Sequence, residues 1–371
     1  MEKKTLCRDD SLEFLNIFRF LGAFSIALFL HYNNAFLAYM GIETTFADGS
    51  VFGFISRKTY VFVEMFFVIS GMLFAKVSMK RIGMGLKFDD FLLSKILRLY
   101  PLAAITTLVM YVSNLMLYGM TNQLWYCGTL SINELVVDLL FLGEAFFKGG
   151  SGLNGPIWYL NILMVCYVFA YFLAKAANKF QIKSVFLVPI LLALMIQYSG
   201  KSFAAWNGRV AEGFLAFFVG IYLNGFLDYL KKCDSRKRII IRIALLAEVF
   251  GALLLEMIPN GDRIIAHEQN YYSLLVFPEA IALMYDCKWI NKICGSGIFK
   301  WMGNVSFGIY LWNYPILLIT QLLYSGGVLN VDFTSFGARV VMAVTHLIVA
   351  GLSYYLIDVK LCKKLSQMLK H

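Results

Sequence analysis

A chain of 371 residues that is 60% hydrophobic and only 15% charged, with a mean hydropathy of +0.69, is not a soluble globular protein: so few charges cannot cover that much apolar surface. The 33 Lys and Arg outnumber the 23 Asp and Glu and give a net charge of +10. They punctuate apolar runs instead of forming one basic face, which excludes nucleic acid as a partner and fits anionic lipid headgroups. The expected class is all-α, a polytopic integral membrane protein held in the lipid bilayer.

The start, MEKKTLCRDD, lacks a short apolar segment followed by a cleavage site, so residues 1–12 read as a cytoplasmic tail and the first span as its own insertion signal. About ten spans follow, near 13–32, 61–79, 97–118, 157–177, 184–198, 210–230, 239–258, 272–286, 303–324 and 337–357. The segment 132–148 is also apolar but contains Glu134, Asp138 and Glu144, and it reads as re-entrant or interfacial. Residues 358–371 form a basic cytoplasmic tail, and the whole of 1–371 is one transmembrane domain. With the N-terminus inside, the tails and interior loops hold 25 of the 33 Lys and Arg. The exterior loops hold seven (Arg57, Lys58, Lys148, Lys201, Arg209, Arg263 and Arg339), and Arg19 lies within the first span. This asymmetry places both termini in the cytoplasm. The seven Cys have no metal-like spacing, and only Cys127 is exterior, so structural thiols and no metal site are expected.

The first span, FLNIFRFLGAFSIALFLH, carries Arg19 near one end and His31 at the other. A charged group at membrane depth costs roughly 2.5–3.5 kcal/mol or more, so such groups persist mainly where they serve substrates, ions or protons. Arg19 can equally snorkel to one surface while His31 sits at the opposite interface. Glu64 lies near the outer end of the second span, where the first span also ends. A carboxylate on one imidazole nitrogen fixes the tautomer and makes the other nitrogen a better base. Ser70 and Gly71 deeper in that span are small residues that let a neighbouring helix approach. Of the other histidines, His371 is terminal, His267 is in an exterior loop, and His346 lies mid-span in the tenth helix.

FVEMFFVISGMLF in the second span, SKILRLYPL with Lys95 and Arg98, NGPIWYLNILMVCY with Asn154 and Trp158, RVAEGFLAFFVGIYL, MGNVSFGIYLWNYPI with Tyr310 and Asn313, and LSYYLIDVK occur in that order along the chain. Together they resemble the membrane acyltransferase-3 family, the bacterial integral-membrane O-acyltransferases of surface polysaccharides, nearly end to end. The resemblance implies transfer of an acyl group, acetyl above all, from cytoplasmic acyl-CoA (acetyl-CoA) to a hydroxyl of a cell-surface glycan or its lipid-linked precursor. It implies a multi-pass protein of the bacterial plasma membrane, with acetyl-CoA as a donor substrate and no permanently bound cofactor. The implied roles are catalytic for His31, Glu64 and Arg19. Arg98, Lys95, Ser70, Asn154, Trp158, Tyr310 and Asn313 would bind substrate, with the Arg forks suited to phosphate.

Two departures stand out. The family's first helix usually has ten residues between its Arg and His, whereas Arg19 and His31 have eleven between them. On an ideal helix this turns the pair from about 20° to about 120° apart, unless a π-bulge absorbs the extra residue. Asn313 stands where the family often has His, and Asn can hydrogen-bond but not exchange protons. A different class remains open on the residues alone: a transporter exporting a glycan or small solute along an Arg19, His31 and Glu64 path. No pair of similar halves with interrupted helices supports it. An inactive scaffold that kept the fold is a third reading.

Overall fold

The computed structural model describes residues 10–42, 56, 58–146, 152–201, 206–257, 268–285 and 287–368, and these are helical with no strand. Cys7, Arg57, Lys148, Arg263, His267, His371 and most of the N-terminal tail lie outside the described residues. Ten principal helices occupy the ten expected positions. They are α1 (Leu15–Leu37), α2 (Thr59–Gly83), α3 (Phe88–Thr121), α4 (Ile157–Phe180), α5 (Leu187–Ser199), α6 (Gly208–Lys232), α7 (Ser235–Met257), α8 (268–284), α9 (Gly297–Ser325) and α10 (Phe336–Leu365).

Seven of them are long and apolar enough to cross a bilayer; α5, α7 and α8 are not. The reasons differ. α5 has only 13 residues, about 20 Å of rise against the roughly 30 Å of hydrocarbon. α7 has 23 residues, but its sequence includes Arg242, Glu248 and Glu256. In α8 an α-helical turn passes into a π-helical segment and then into a further short α-helix. The 132–148 region contains a short helix, Ile132–Leu139, opened by Ser131, whose Oγ accepts the Glu134 N–H.

Helix ends follow local chemistry. Asn207 and Ser335 cap α6 and α10, accepting the Val210 and Ala338 N–H groups. α3 and α4 end at Asn122 and Gln181 with φ of 54° and 57°, the left-handed turn that stops a helix.

The centre of the bundle is the α2–α6 pair, the most extensive helix contact. A Cβ on Gly71 would lie 1.8 Å from the Phe217 carbonyl oxygen, and one on Gly220 would lie 2.1 Å from that of Val68. Two glycines facing each other's backbone are the small-residue packing that draws membrane helices together. α1 packs on α9, which also contacts α3 and α10. At 34 residues α3 is about 50 Å long and overhangs the bilayer. Its first turns, at the end that the charge asymmetry assigns to the cytoplasm, form one wall of the main cavity.

Candidate functional site

Four segments among the described residues are π-helical: Ile26–Leu37, Phe74–Met79, Tyr272–Val276 and Tyr354–Leu361. Hydrogen bonds from i to i+5 hold one more residue per turn than α-helical bonds, and such segments gather at functional sites. The first contains His31 and begins seven residues beyond Arg19. The extra residue between Arg19 and His31 therefore falls in a stretch whose winding absorbs it. The second and fourth border the cavity.

That cavity has a volume of about 1180 Å³ and is walled by α1, α2, α3, α4, α9 and α10. Arg19, Arg81, Lys95, Arg98 and Lys363 face it, against only two carboxylates, Asp90 and Asp358. Arg19 is held in place by its own helix, donating from Nε to the Leu15 carbonyl at 3.2 Å and from Nη2 to Asn16 Oδ1 at 3.0 Å. Lys95 Nζ sits 4.3 Å from the centre of the Tyr167 ring, a cation–π contact that fixes a flexible side chain. At the inner end are Ser70, Phe66, Tyr159 and Tyr310. Ser70 Oγ and Tyr159 OH share a hydrogen bond of 3.2 Å. The rings of Phe66, Tyr159 and Tyr310 stand edge to face, with centroids 5.8 to 6.2 Å apart.

His31 lies beyond this aromatic end. Its Nδ1 is 2.5 Å from Nδ2 of Asn313, and its ring meets Tyr314 edge-on at 4.6 Å. Asn313 is fully buried, and its Oδ1 has no partner among the described residues. Tyr310 and Asn313 are three residues apart on α9, about 4.5 Å along the helix axis. The cavity thus ends one turn below the imidazole.

The structure does not pair His31 with Glu64. Glu64 is buried, its Oε2 has no partner among the described residues, and its charged neighbours are Glu212 and Glu268. Glu268 accepts from Lys58 Nζ at 2.5 Å and from the Tyr60 hydroxyl. Asn154 and Trp158 also stand outside the cavity. Asn154 donates to the Leu311 carbonyl at 3.3 Å and ties the loop before α4 to α9. Trp158 lies under the Arg209 guanidinium, 5.6 Å from its ring, and Arg209 pairs with Glu144 at 3.2 Å. The loop before α4 is anchored by Asp138, which accepts the Leu153 N–H. Burial pushes the Asp138 pKa up from 3.8 to about 6 against the pull of the Leu153 and Asn154 N–H groups.

Of the expected residues, Arg19, Lys95, Arg98, Ser70 and Tyr310 face the cavity, and His31 with Asn313 forms a second group beyond it. Sequence reasoning missed Arg81, Asp358 and the ring of Tyr159. Arg81 lies in the basic stretch counted for topology, and Asp358 in the quoted ending LSYYLIDVK. What neither showed was the direction of the side chain.

A model of an acyltransferase domain family, acyltransferase-3, matches residues 12–355 of the chain. The chain belongs to the acyltransferase-3 family. No curated protein and no solved structure matches it. Membership decides against the transporter: this is a membrane acyltransferase, and the order of its motifs along ten helices follows from that. In this acyltransferase α9 contributes both to the basic cavity, through Tyr310, and to the imidazole's contact, through Asn313.

Proposed function

We propose that the protein transfers an acetyl group from cytoplasmic acetyl-CoA to a hydroxyl of a cell-surface glycan or its lipid-linked precursor in a bacterial plasma membrane. The observation that carries this reading is the lining of the 1180 Å³ cavity: five cations against two carboxylates, together with the ring cluster of Phe66, Tyr159 and Tyr310. The donor is an anionic nucleotide on a long neutral arm. Guanidinium groups suit its phosphates, and the arm would carry the thioester past Ser70 and Tyr310 toward His31.

There an acceptor hydroxyl needs a base during attack on the thioester carbonyl. For His31 Nε2 to act as that base, Nδ1 must carry the ring proton and Asn313 must accept it through Oδ1. A half-turn of the amide at almost unchanged shape presents Oδ1 in place of Nδ2. The hydroxyl proton then passes to Nε2, and its oxygen forms the ester C–O bond. The C–S bond breaks with its electron pair on sulfur, and the proton leaves on the thiol. Asn313 holds the ring; it does not take part in proton exchange. Glu64 lies on a neighbouring helix without touching the ring.

The test is purified protein in liposomes with labelled acetyl-CoA and an extract of cell-surface glycans. Labelled, alkali-labile ester on glycan is the expected result. Unlabelled glycan together with intact acetyl-CoA would overturn the donor and the acceptor alike.

A further inference from the structure

A second cavity, of about 400 Å³, lies between the residues that lead into α1, the start of α9 and the short helix Lys288–Cys294 that joins α8 to α9. The charge asymmetry places this end of the bundle at the cytoplasmic face. The cavity shares no lining residue with the larger one. Lys288, Lys292 and Lys300 line it, against the single carboxylate of Glu13. None of the three lysines forms an ion pair among the described residues. Glu13 Oε2 is already held by Asn16 Nδ2 at 2.9 Å.

The short helix has three distinct faces. Asn291 and Cys294 are buried. Asn291 Oδ1 accepts the Phe14 N–H at 3.1 Å and its Nδ2 donates to the Cys287 carbonyl at 3.1 Å, which pins the helix to the start of α1. Lys288 and Lys292, four residues apart, share the cavity face. Like charges at that spacing repel, and one anion seated between them turns the repulsion into binding. Trp289 and Ile293, also four apart, are 67% and 50% exposed. An indole and an aliphatic side chain standing out beside paired lysines are what an interfacial helix presents to lipid.

We infer that this cavity is a site for the phosphate headgroup of an anionic phospholipid of the cytoplasmic leaflet, held by Lys288, Lys292 and Lys300, with the lipid tails passing beside Trp289 and Ile293. Its volume falls within the range of small-ligand pockets. Basic pockets at the cytoplasmic ends of transmembrane helices recognise such headgroups. A soluble phosphate offers the same charge but leaves the Trp289 and Ile293 face without an occupant, whereas a lipid covers both. The inference does not depend on the acyl donor or acceptor.

The test is native mass spectrometry of the full-length protein released from nanodiscs of equal parts phosphatidylglycerol and phosphatidylcholine. Wild type should retain phosphatidylglycerol over phosphatidylcholine. The triple variant Lys288→Gln, Lys292→Gln, Lys300→Gln should lose that selectivity, with phosphatidylglycerol affinity falling about fivefold per lysine and roughly a hundredfold for the three. The control changes Lys175, Lys179 and Lys232, exposed lysines of the same face outside the cavity, to Gln. It removes the same charge, and screening at that distance should leave retention within about twofold of wild type. Equal loss in the two triple variants overturns the pocket. So does a wild type without selectivity, a result that stands even if a variant misfolds. Excess inorganic phosphate separates the two sources: lipid retention should be unchanged, and displacement of the lipid overturns the lipid assignment in favour of a soluble anion.

Discussion

Gly71→Ala tests how closely the site depends on helix packing. The added Cβ would stand 1.8 Å from the Phe217 carbonyl oxygen, where ordinary contacts begin at 3.4 Å. Neither group can rotate away, since one is backbone and the other is fixed to it, so α2 and α6 must separate by about 1.5 Å locally. The Gly220–Val68 contact, 2.1 Å for a Cβ built there, faces the same pair of helices and opens with it. Overpacking typically costs ~1–3 kcal/mol, and a backbone-to-backbone clash belongs at the upper end, about 3 kcal/mol. Ser70 adjoins the clash, so its 3.2 Å bond to Tyr159 OH is strained as well. Transfer should fall with stability. The assay is thiol labelling of Cys166, which is fully buried in α4, as temperature rises. The labelling midpoint should drop by about 5 °C or more. Gly119→Ala is the control: nothing lies within 4 Å of a Cβ there, and in the last turn of α3 an Ala gains less over Gly than the roughly 1 kcal/mol of a helix interior. If Gly71→Ala labels like wild type, the close approach of α2 and α6 is wrong.

Four further outcomes follow from the site. Arg98→Ala should weaken acetyl-CoA binding by about 1.5–3 kcal/mol in a titration of nanodisc-embedded protein, with Arg98→Lys recovering part; unchanged affinity would make Arg98 a topology signal only. His31→Ala should abolish transfer with donor binding intact, whereas Glu64→Gln, which touches no ring, should reduce it less; the reverse order would return the orienting role to Glu64. For Asp138, a folded pKa raised from 3.8 to about 6 means that its protonated form favours the fold, a contribution full below pH 3.8 and lost as pH rises through 6. Asp138→Asn keeps an acceptor for the Leu153 N–H, so it should raise stability above pH 6 by up to about 2–3 kcal/mol and flatten the pH dependence; a melting curve with unchanged pH slope rejects this. In a cysteine-free background, Asn330→Cys should react with an impermeant thiol reagent from outside and Ser235→Cys should not, and the opposite pattern reverses the orientation.

The sequence carried the positions of the ten helices because each is an apolar run bounded by charge or by residues such as Asn207 and Ser335 that cap helices. It carried much of the cavity's basic end as well, since Lys95 and Arg98 lie in a motif and a loop of one sign. Rotation was harder to read. Depth along two adjacent helices suggested that His31 meets Glu64, but depth leaves the azimuth free, and α9 brings Asn313 to the ring in its place. The π-helical winding at Ile26–Leu37 was legible only as a count of residues that an ideal helix could not accommodate. Trp158 was assigned to substrate by its motif, yet Arg209, fifty-one positions away in the chain, covers its ring. Pairings of that kind are set by tertiary packing, and no local pattern announces them.

The interlocked rings of Phe66, Tyr159 and Tyr310 have an electrical consequence. A passage between two aqueous compartments would short-circuit the membrane, and each ion crossing a potential of 100 mV gains or loses about 2.3 kcal/mol. In the proposed reaction, rings in edge-to-face contact would act as an insulating septum past which a neutral acyl group on a slender arm is presented while the proposed donor's phosphates stay with the cations. In the proposed reaction no net charge traverses the field. Turnover should then be indifferent to membrane voltage, and a cell could acylate its surface without drawing on its ion gradients.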